Sequence, residues 1–170
     1  MNQIKIIVIA WICMLSVSVT AQTTNYQVYA LLVVNIARHS AWPGSTTGDM
    51  EITVLGKSKV YDELLKQNGK SVNGHTLKVK QVESITDIGQ PNILYIADGK
   101  SGLIEKILEA TEGKPVMVIG EREGLFKKGA GFSFVVLENN TLRYDINNTE
   151  LEKRQIKLSK NLSSLANLTI

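Results

Sequence analysis

Two short stretches, Asn92-Ile93-Leu94-Tyr95-Ile96-Ala97 and Pro115-Val116-Met117-Val118-Ile119-Gly120, are apolar on consecutive residues. A strand with one wet face alternates apolar and polar, so a strand that is apolar at every position must be covered on both faces. Between them, Leu103, Ile104, Ile107 and Leu108 form one face of a helix opposite Glu105, Lys106, Glu109 and Glu112, with Ser101 as its expected cap and Gly113 as its end. Strand, helix and strand in that order give an α/β domain whose mixed, mostly parallel sheet is flanked by helices.

The remaining segments fit this frame. Residues 26–41 read as a largely buried helix stopped by Pro43. Residues 51–56 form a strand ending in Gly56, and Ser58 caps a helix carrying Val60, Leu64 and Leu65. Asn73-Gly74 turns into residues 76–82, whose strict alternation places a strand near a sheet edge. Residues 132–137 and 141–146 pair as a hairpin across Glu138-Asn139-Asn140. Residues 149–168 read as C-terminal helical pieces with Leu158, Leu162 and Leu165 on one stripe. No repeat or composition break divides residues 22–170, so a single domain is expected.

The first 21 residues read as a cleaved signal peptide: Lys5 precedes the uncharged run of residues 6–19, which ends at Val19-Thr20-Ala21. That run is short of the roughly 20 residues that span a bilayer, so no stable membrane anchor is expected after cleavage. Cys13 sits inside the run and would be discarded with it, leaving a mature chain without a thiol or a disulfide. Cleavage removes one charge, Lys5, and takes the net charge from +3 to +2, too small to point to nucleic acid.

No catalytic constellation stands out. Gly124 to Gly131 has two glycines five apart, but Ala130-Gly131 replaces the Lys-Ser/Thr of a phosphate-binding loop and leads toward a strand. His39 and His75 lack a second ligand at helical spacing, and neither a metal nor a cofactor is expected. Glu121-Arg122-Glu123 follows a strand end where open α/β sheets bind ligands, and reads either as a solvated turn or as a grip on a charged ligand. Trp42-Pro43 reads either as packing at a helix end or as a rigid aromatic surface. The loop of Gly124 and Phe126, and the stripe of Leu158 and Leu162, are further candidate partner surfaces.

Taken together, Tyr26-Gln27-Val28-Tyr29-Ala30 leading to Trp42-Pro43 and Ile52-Thr53-Val54-Leu55-Gly56 resembles the start of the YfiR-like family of bacterial periplasmic proteins. Gly124-Leu125-Phe126 with Gly129-Ala130-Gly131-Phe132 is similar to its glycine loop, and Arg143-Tyr144-Asp145-Ile146-Asn147 followed by residues 156–162 is similar to its closing strand and helix. The resemblance implies a non-catalytic periplasmic regulator. It would bind the extracytoplasmic domain of an inner-membrane sensor, a diguanylate cyclase of cyclic-di-GMP signalling or a histidine kinase, and repress or tune its output. A second copy of the chain is a further candidate partner. The cysteines of some relatives are absent from the mature chain, so redox control does not carry over. The alternatives are a periplasmic small-molecule-binding protein without an obligatory partner, with Glu121 and Arg122 at the ligand, and a hydrolase without a recognisable motif.

Overall fold

The computed structural model describes residues 21–44 and 48–170. The apolar run of residues 6–19 lies outside these described residues. The first helix, α1 (Ala21–Arg38), ends earlier than Pro43 would require. Ser40 Oγ donates to the Ile36 carbonyl at 2.7 Å, and the chain then extends as β1 (Ser40–Ala41) to pair with a distant segment. A hydroxyl that bonds a preceding carbonyl competes with continuation of the helix.

Next come β2 (Asp49–Leu55), α2 (Lys59–Leu65), the short β3 (Ser71–Val72) and β4 (His75–Val82). Ser58 caps α2 by accepting from the Val60 N–H at 3.1 Å, as its sequence position predicts. The apolar runs become β5 (Ile93–Ile96) and β6 (Met117–Gly120), buried at every position. Between them stand a 3₁₀ segment, Asp98–Leu103, and α3 (Ile104–Ala110). Ser101 does not cap this helix. It lies inside the 3₁₀ segment, buried, with its hydroxyl unpartnered.

The expected hairpin is present as β7 (Phe132–Val136) and β8 (Leu142–Ile146), in register from Phe132 opposite Ile146 to Val136 opposite Leu142. The chain closes with α4 (Asn148–Lys153), β9 (Lys157–Leu158) and α5 (Lys160–Ser164). Leu158, Leu162 and Leu165 therefore do not share one helical stripe. Leu158 lies in β9, opposite Ser40 of β1, and Ser159 breaks the periodicity by capping α5 with its hydroxyl at 3.2 Å from the Leu162 N–H.

The seven-stranded sheet has the order β3-β4-β2-β5-β6-β7-β8. The inner five are parallel, and β3 and β8 run antiparallel at the edges. The chain moves outward from β2 to β4, then returns across β2 to β5 and continues the other way. Right-handed crossovers therefore place α2 on one face and α3 on the other. One core joins α1, α2 and the C-terminal helices to Ile52, Val54, Tyr95, Ile119, Phe132 and Phe134. The second joins α3 to Leu94, Ile96, Val116, Val118 and Leu125. Side chains of β5 and β6 alternate between these two cores, which is why neither strand tolerates a polar position.

One charge crosses the structure. Arg154, 9% exposed, donates from Nη1 to the Thr111 carbonyl at 2.9 Å and the Val116 carbonyl at 3.3 Å, with the Lys114 carbonyl at 3.5 Å. It ties the end of α4 to the connection between α3 and β6, adding a charged donor to carbonyls of which Thr111 and Lys114 also accept a backbone N–H. Burial pulls the guanidinium pKa down, opposed by Glu150 and Glu112. Replacing Arg154 by Met leaves these carbonyls without a charged donor and is expected to lower stability by about 2 to 3 kcal/mol, read from urea unfolding. A Lys replacement, which restores one donor, should recover part of that loss.

Candidate functional site

The reversal of direction between β4 and β5 puts the topological switch point at the carboxyl ends of β2 and β5, with β6 beside them. Open α/β sheets bind ligands at this place, because the loops that follow neighbouring strands depart to opposite faces. Here β2 ends at Gly56 and Ser58, β5 at Ala97 and Asp98, and β6 at Gly120 and Glu121. Gly56 has φ of +90°, and a Cβ there would stand 2.5 Å from Lys100 Cγ, so the tight exit from β2 needs glycine.

Glu121 is the centre of this edge. Its Oε2 accepts the Asp98 N–H at 3.3 Å, and the Ser58 hydroxyl acts to lower the pKa of the same carboxyl group. Beneath it, the wholly buried Tyr95 hydroxyl reaches toward the carboxylate without closing a hydrogen bond of ordinary geometry. Burial raises the Glu121 pKa, and the Asp98 charge adds to the rise against the pull of the three donors. Tyr95 is raised further still, first by burial and then by the Glu121 charge. Tyr29 is also raised, first by burial and then by the Glu121 charge.

The outer rim is a bidentate ion pair. Arg122 Nε and Nη2 meet the Asp98 carboxylate at 2.7 and 3.0 Å, joining the loops after β5 and β6. Its hydrogen bonds hold the Asp98 pKa below the ordinary carboxylate range, but both side chains are more than half exposed. An exposed pair of this kind contributes about 0 to 1 kcal/mol. Its consequence is geometric: it fixes Arg122 and holds the Asp98 N–H in line with Glu121. Inward from Tyr29, the aromatic side chains continue through Phe134, ring centroids 4.8 Å apart, to Tyr95. Tyr26 lies 6.4 Å from Tyr29 and carries Lys59 Nζ over its ring at 5.6 Å.

The residues singled out from sequence separate into three places. Glu121 and Arg122 stand together at the carboxyl edge, with Gly124 at the start of the 3₁₀ turn Leu125–Lys128. Phe126 in that turn is 1% exposed, and its carbonyl accepts from the Asn147 side chain at 2.8 Å, so its ring faces inward. Trp42 and Pro43 lie at the opposite end of the sheet, near Asn92 and Pro115. The Trp42 ring belongs to the main core and its Nε1 donates to the Asn92 carbonyl at 3.1 Å. Leu162 is buried in the same core, while Leu158 is half-buried beside it. Sequence reasoning missed Ser58, Tyr95, Asp98 and Tyr29 as neighbours of Glu121. A polar atom in the apolar run of β5, the Tyr95 hydroxyl, was the one signal available. Among the described residues, no group of three or more His, Cys, Asp or Glu side chains is placed to hold a metal ion.

A family model described as YfiR/HmsC-like matches residues 26–167. The chain belongs to the YfiR/HmsC-like family. The match takes in both edges of the sheet, Glu121 and the closing helices. The YfiR/HmsC-like family is regulatory, non-catalytic and periplasmic. No curated protein matches the chain. Among solved structures, the chain is similar to a conserved domain protein from Vibrio cholerae O1 biovar eltor, with a TM-score of 0.59 and 14% identity over 85% of this chain. It is also similar to an ABC domain from Streptococcus pneumonia solved in complex with L-Trp, with a TM-score of 0.56 and 10% identity over 83% of this chain. The chain spans 60% of the length of each. At these identities the likeness is one of fold. No helix among the described residues is long and apolar enough to cross a membrane.

Two outcomes follow from this geometry. Because the Glu121 pKa is raised in the folded protein, its charge opposes folding at neutral pH, and that opposition disappears below the unfolded carboxylate pKa. Glu121→Gln is therefore expected to raise the melting temperature at pH 7.5 and to leave it nearly unchanged at pH 4, measured by circular dichroism. Trp42→Ala should lower stability by about 3 to 5 kcal/mol, measured by urea unfolding, because a buried ring and its hydrogen bond are lost together.

Proposed function

We propose that this protein is a non-catalytic periplasmic regulator that binds the extracytoplasmic domain of an inner-membrane signalling protein, a diguanylate cyclase or a sensor kinase, and represses or tunes its output. The observation that carries this reading is the family match over residues 26–167, nearly all of the chain after the expected signal peptide. The apolar run of residues 6–19 after Lys5 supports export.

A regulator of this kind works only if it binds one conformation of its sensor better than the other, since equal affinity for both shifts nothing. Of the residues singled out from sequence, those that remain available for such contact are Pro43, Arg122, the rim around Gly124 and Leu165, together with Leu158, which is half-buried. Trp42, Phe126 and Leu162 support these surfaces from beneath. The sheet is covered on both faces by buried cores, which suits a protein that must discriminate between two shapes of a partner.

The experiment is cross-linking of the tagged protein in its native envelope, with an untagged control, followed by identification of captured proteins and measurement of cyclic-di-GMP in a deletion strain. Capture of one dominant inner-membrane sensor is expected, with its output altered when the gene is deleted. Recovery of only abundant envelope proteins across several cross-linker lengths, with unchanged signalling output, would sink the reading.

A further inference from the structure

We propose that the cavity at the amino-terminal end of the sheet, walled by Trp42 and by all three prolines of the chain, binds a small uncharged ring that carries a carbonyl acceptor, a lactam or a cyclic ketone. The site lies wholly within this chain, so the proposal goes beyond the regulatory reading and does not rest on it.

The cavity has a volume of about 140 Å³, and Pro43, Pro91 and Pro115 meet Trp42 and Asn92 around it. A cavity of roughly 150 Å³ holds benzene, so a single small ring sets the size of the occupant. None of the residues that line the cavity carries a charge. The charged neighbours are engaged elsewhere. Lys114, next to Pro115, donates from Nζ to the Ala110 carbonyl at 2.8 Å, and the Glu51 carboxylate holds Lys80 Nζ at 2.8 Å. A charged ligand would lose its hydration here without gaining a counter-ion, which selects a neutral one.

The walls are set before a ligand arrives. Proline has a fixed φ and almost no side-chain freedom to lose, so three proline walls add little ordering cost to binding. The indole is 8% exposed and is held by its Nε1, which donates to the Asn92 carbonyl at 3.1 Å. Asn92 is held in turn, because its Oδ1 accepts the Glu51 N–H at 2.8 Å. A backbone N–H can only donate, so this contact fixes which end of the amide is oxygen and leaves Nδ2 as the free end. Among the described residues no acceptor meets Nδ2, and the atom is not sealed from solvent. A free donor asks for an acceptor on the ligand, and flat apolar walls of indole and proline favour a compact ring above it.

The test uses the exported protein labelled with nitrogen-15, in which Trp42 gives the single indole signal once Trp11 has left with the expected signal peptide. Pyrrolidone and cyclopentanone are titrated at constant pH and ionic strength, with cyclopentylammonium chloride and sodium cyclopentanecarboxylate as charged rings and diethyl ketone as the open-chain counterpart. The expected result is a saturable shift of the Trp42 indole signal with at least one neutral ring, in the millimolar range that suits so few atoms. Diethyl ketone should bind several-fold more weakly and the charged rings not at all. Asn92→Asp keeps an oxygen for the Glu51 N–H and exchanges the free donor for an acceptor, so it should weaken binding roughly tenfold. A non-saturable shift, equal binding of diethyl ketone or of either charged ring, or unchanged affinity in Asn92→Asp overturns the proposal. Should Asn92→Asp fail to fold, Pro115→Ala decides: it removes one exposed wall and should weaken binding several-fold, and unchanged affinity overturns the proposal. None of these outcomes bears on capture of a membrane sensor, so the two readings fail separately.

Discussion

Strands β5 and β6 present apolar side chains to both faces of the sheet, and every other part of the architecture answers the need to cover them. Covering one face requires α1 and α2, and covering the other requires α3 with the turn that carries Leu125. Helices reach opposite faces through right-handed crossovers only if the chain reverses its direction of travel across the sheet. That reversal, between β4 and β5, sets the strand ends from which Ser58, Asp98 and Glu121 come together. The candidate site is thus a by-product of burying two strands from both sides.

Charge is treated in two different ways at the two ends of α3. Arg154 is buried against the chain that follows α3 and is matched to the Thr111 and Val116 carbonyls, so it completes the fold. Glu121 is half-buried beyond the start of the 3₁₀ segment that leads into α3, with neutral donors and another carboxylate for neighbours, so it leaves the fold with an unmatched charge. A buried charge that lacks a counter-charge is costly, and proteins keep such groups where function needs them. The contrast separates a charge that the fold matches from one that it leaves without a counter-charge. The exposed Asp98–Arg122 pair belongs to neither class; its fork geometry positions the loop at little energetic consequence.

Membership of the YfiR/HmsC-like family directs attention to surfaces. The aromatic and leucine residues that look from sequence like ready contact points are mostly interior. Trp42 packs at the amino-terminal edge of the sheet, Phe126 turns inward beneath the glycine turn, and Leu162 fastens α5 to the main core. What remains outside is the rim near Arg122 and Gly124, Pro43 on the far side, Leu165 and, in part, Leu158.

Local pattern carried most of the strands, the hairpin, the Ser58 cap and the expectation of a mixed, mostly parallel sheet. These depend on short-range periodicity and on burial of consecutive apolar residues, which the amino-acid order states directly. Sequence also isolated Glu121 and Arg122 at a strand end. It did not reveal that α1 stops at Arg38, because the competing pairing of Ser40 with Leu158 joins residues more than a hundred positions apart. Nor did it reveal that Leu158 and Leu162 belong to different elements, or that Ser101 caps nothing. The partners of Glu121 were hidden for the same reason: Ser58, Tyr95 and Asp98 come from other strand ends, and only the order in which parallel strands assemble brings them together. Sequence by itself therefore determined which segments are strands and helices and which must be buried. The tertiary structure alone decided which polar groups meet, because hydrogen bonds and charge pairs act over a few ångströms, whatever the separation along the chain.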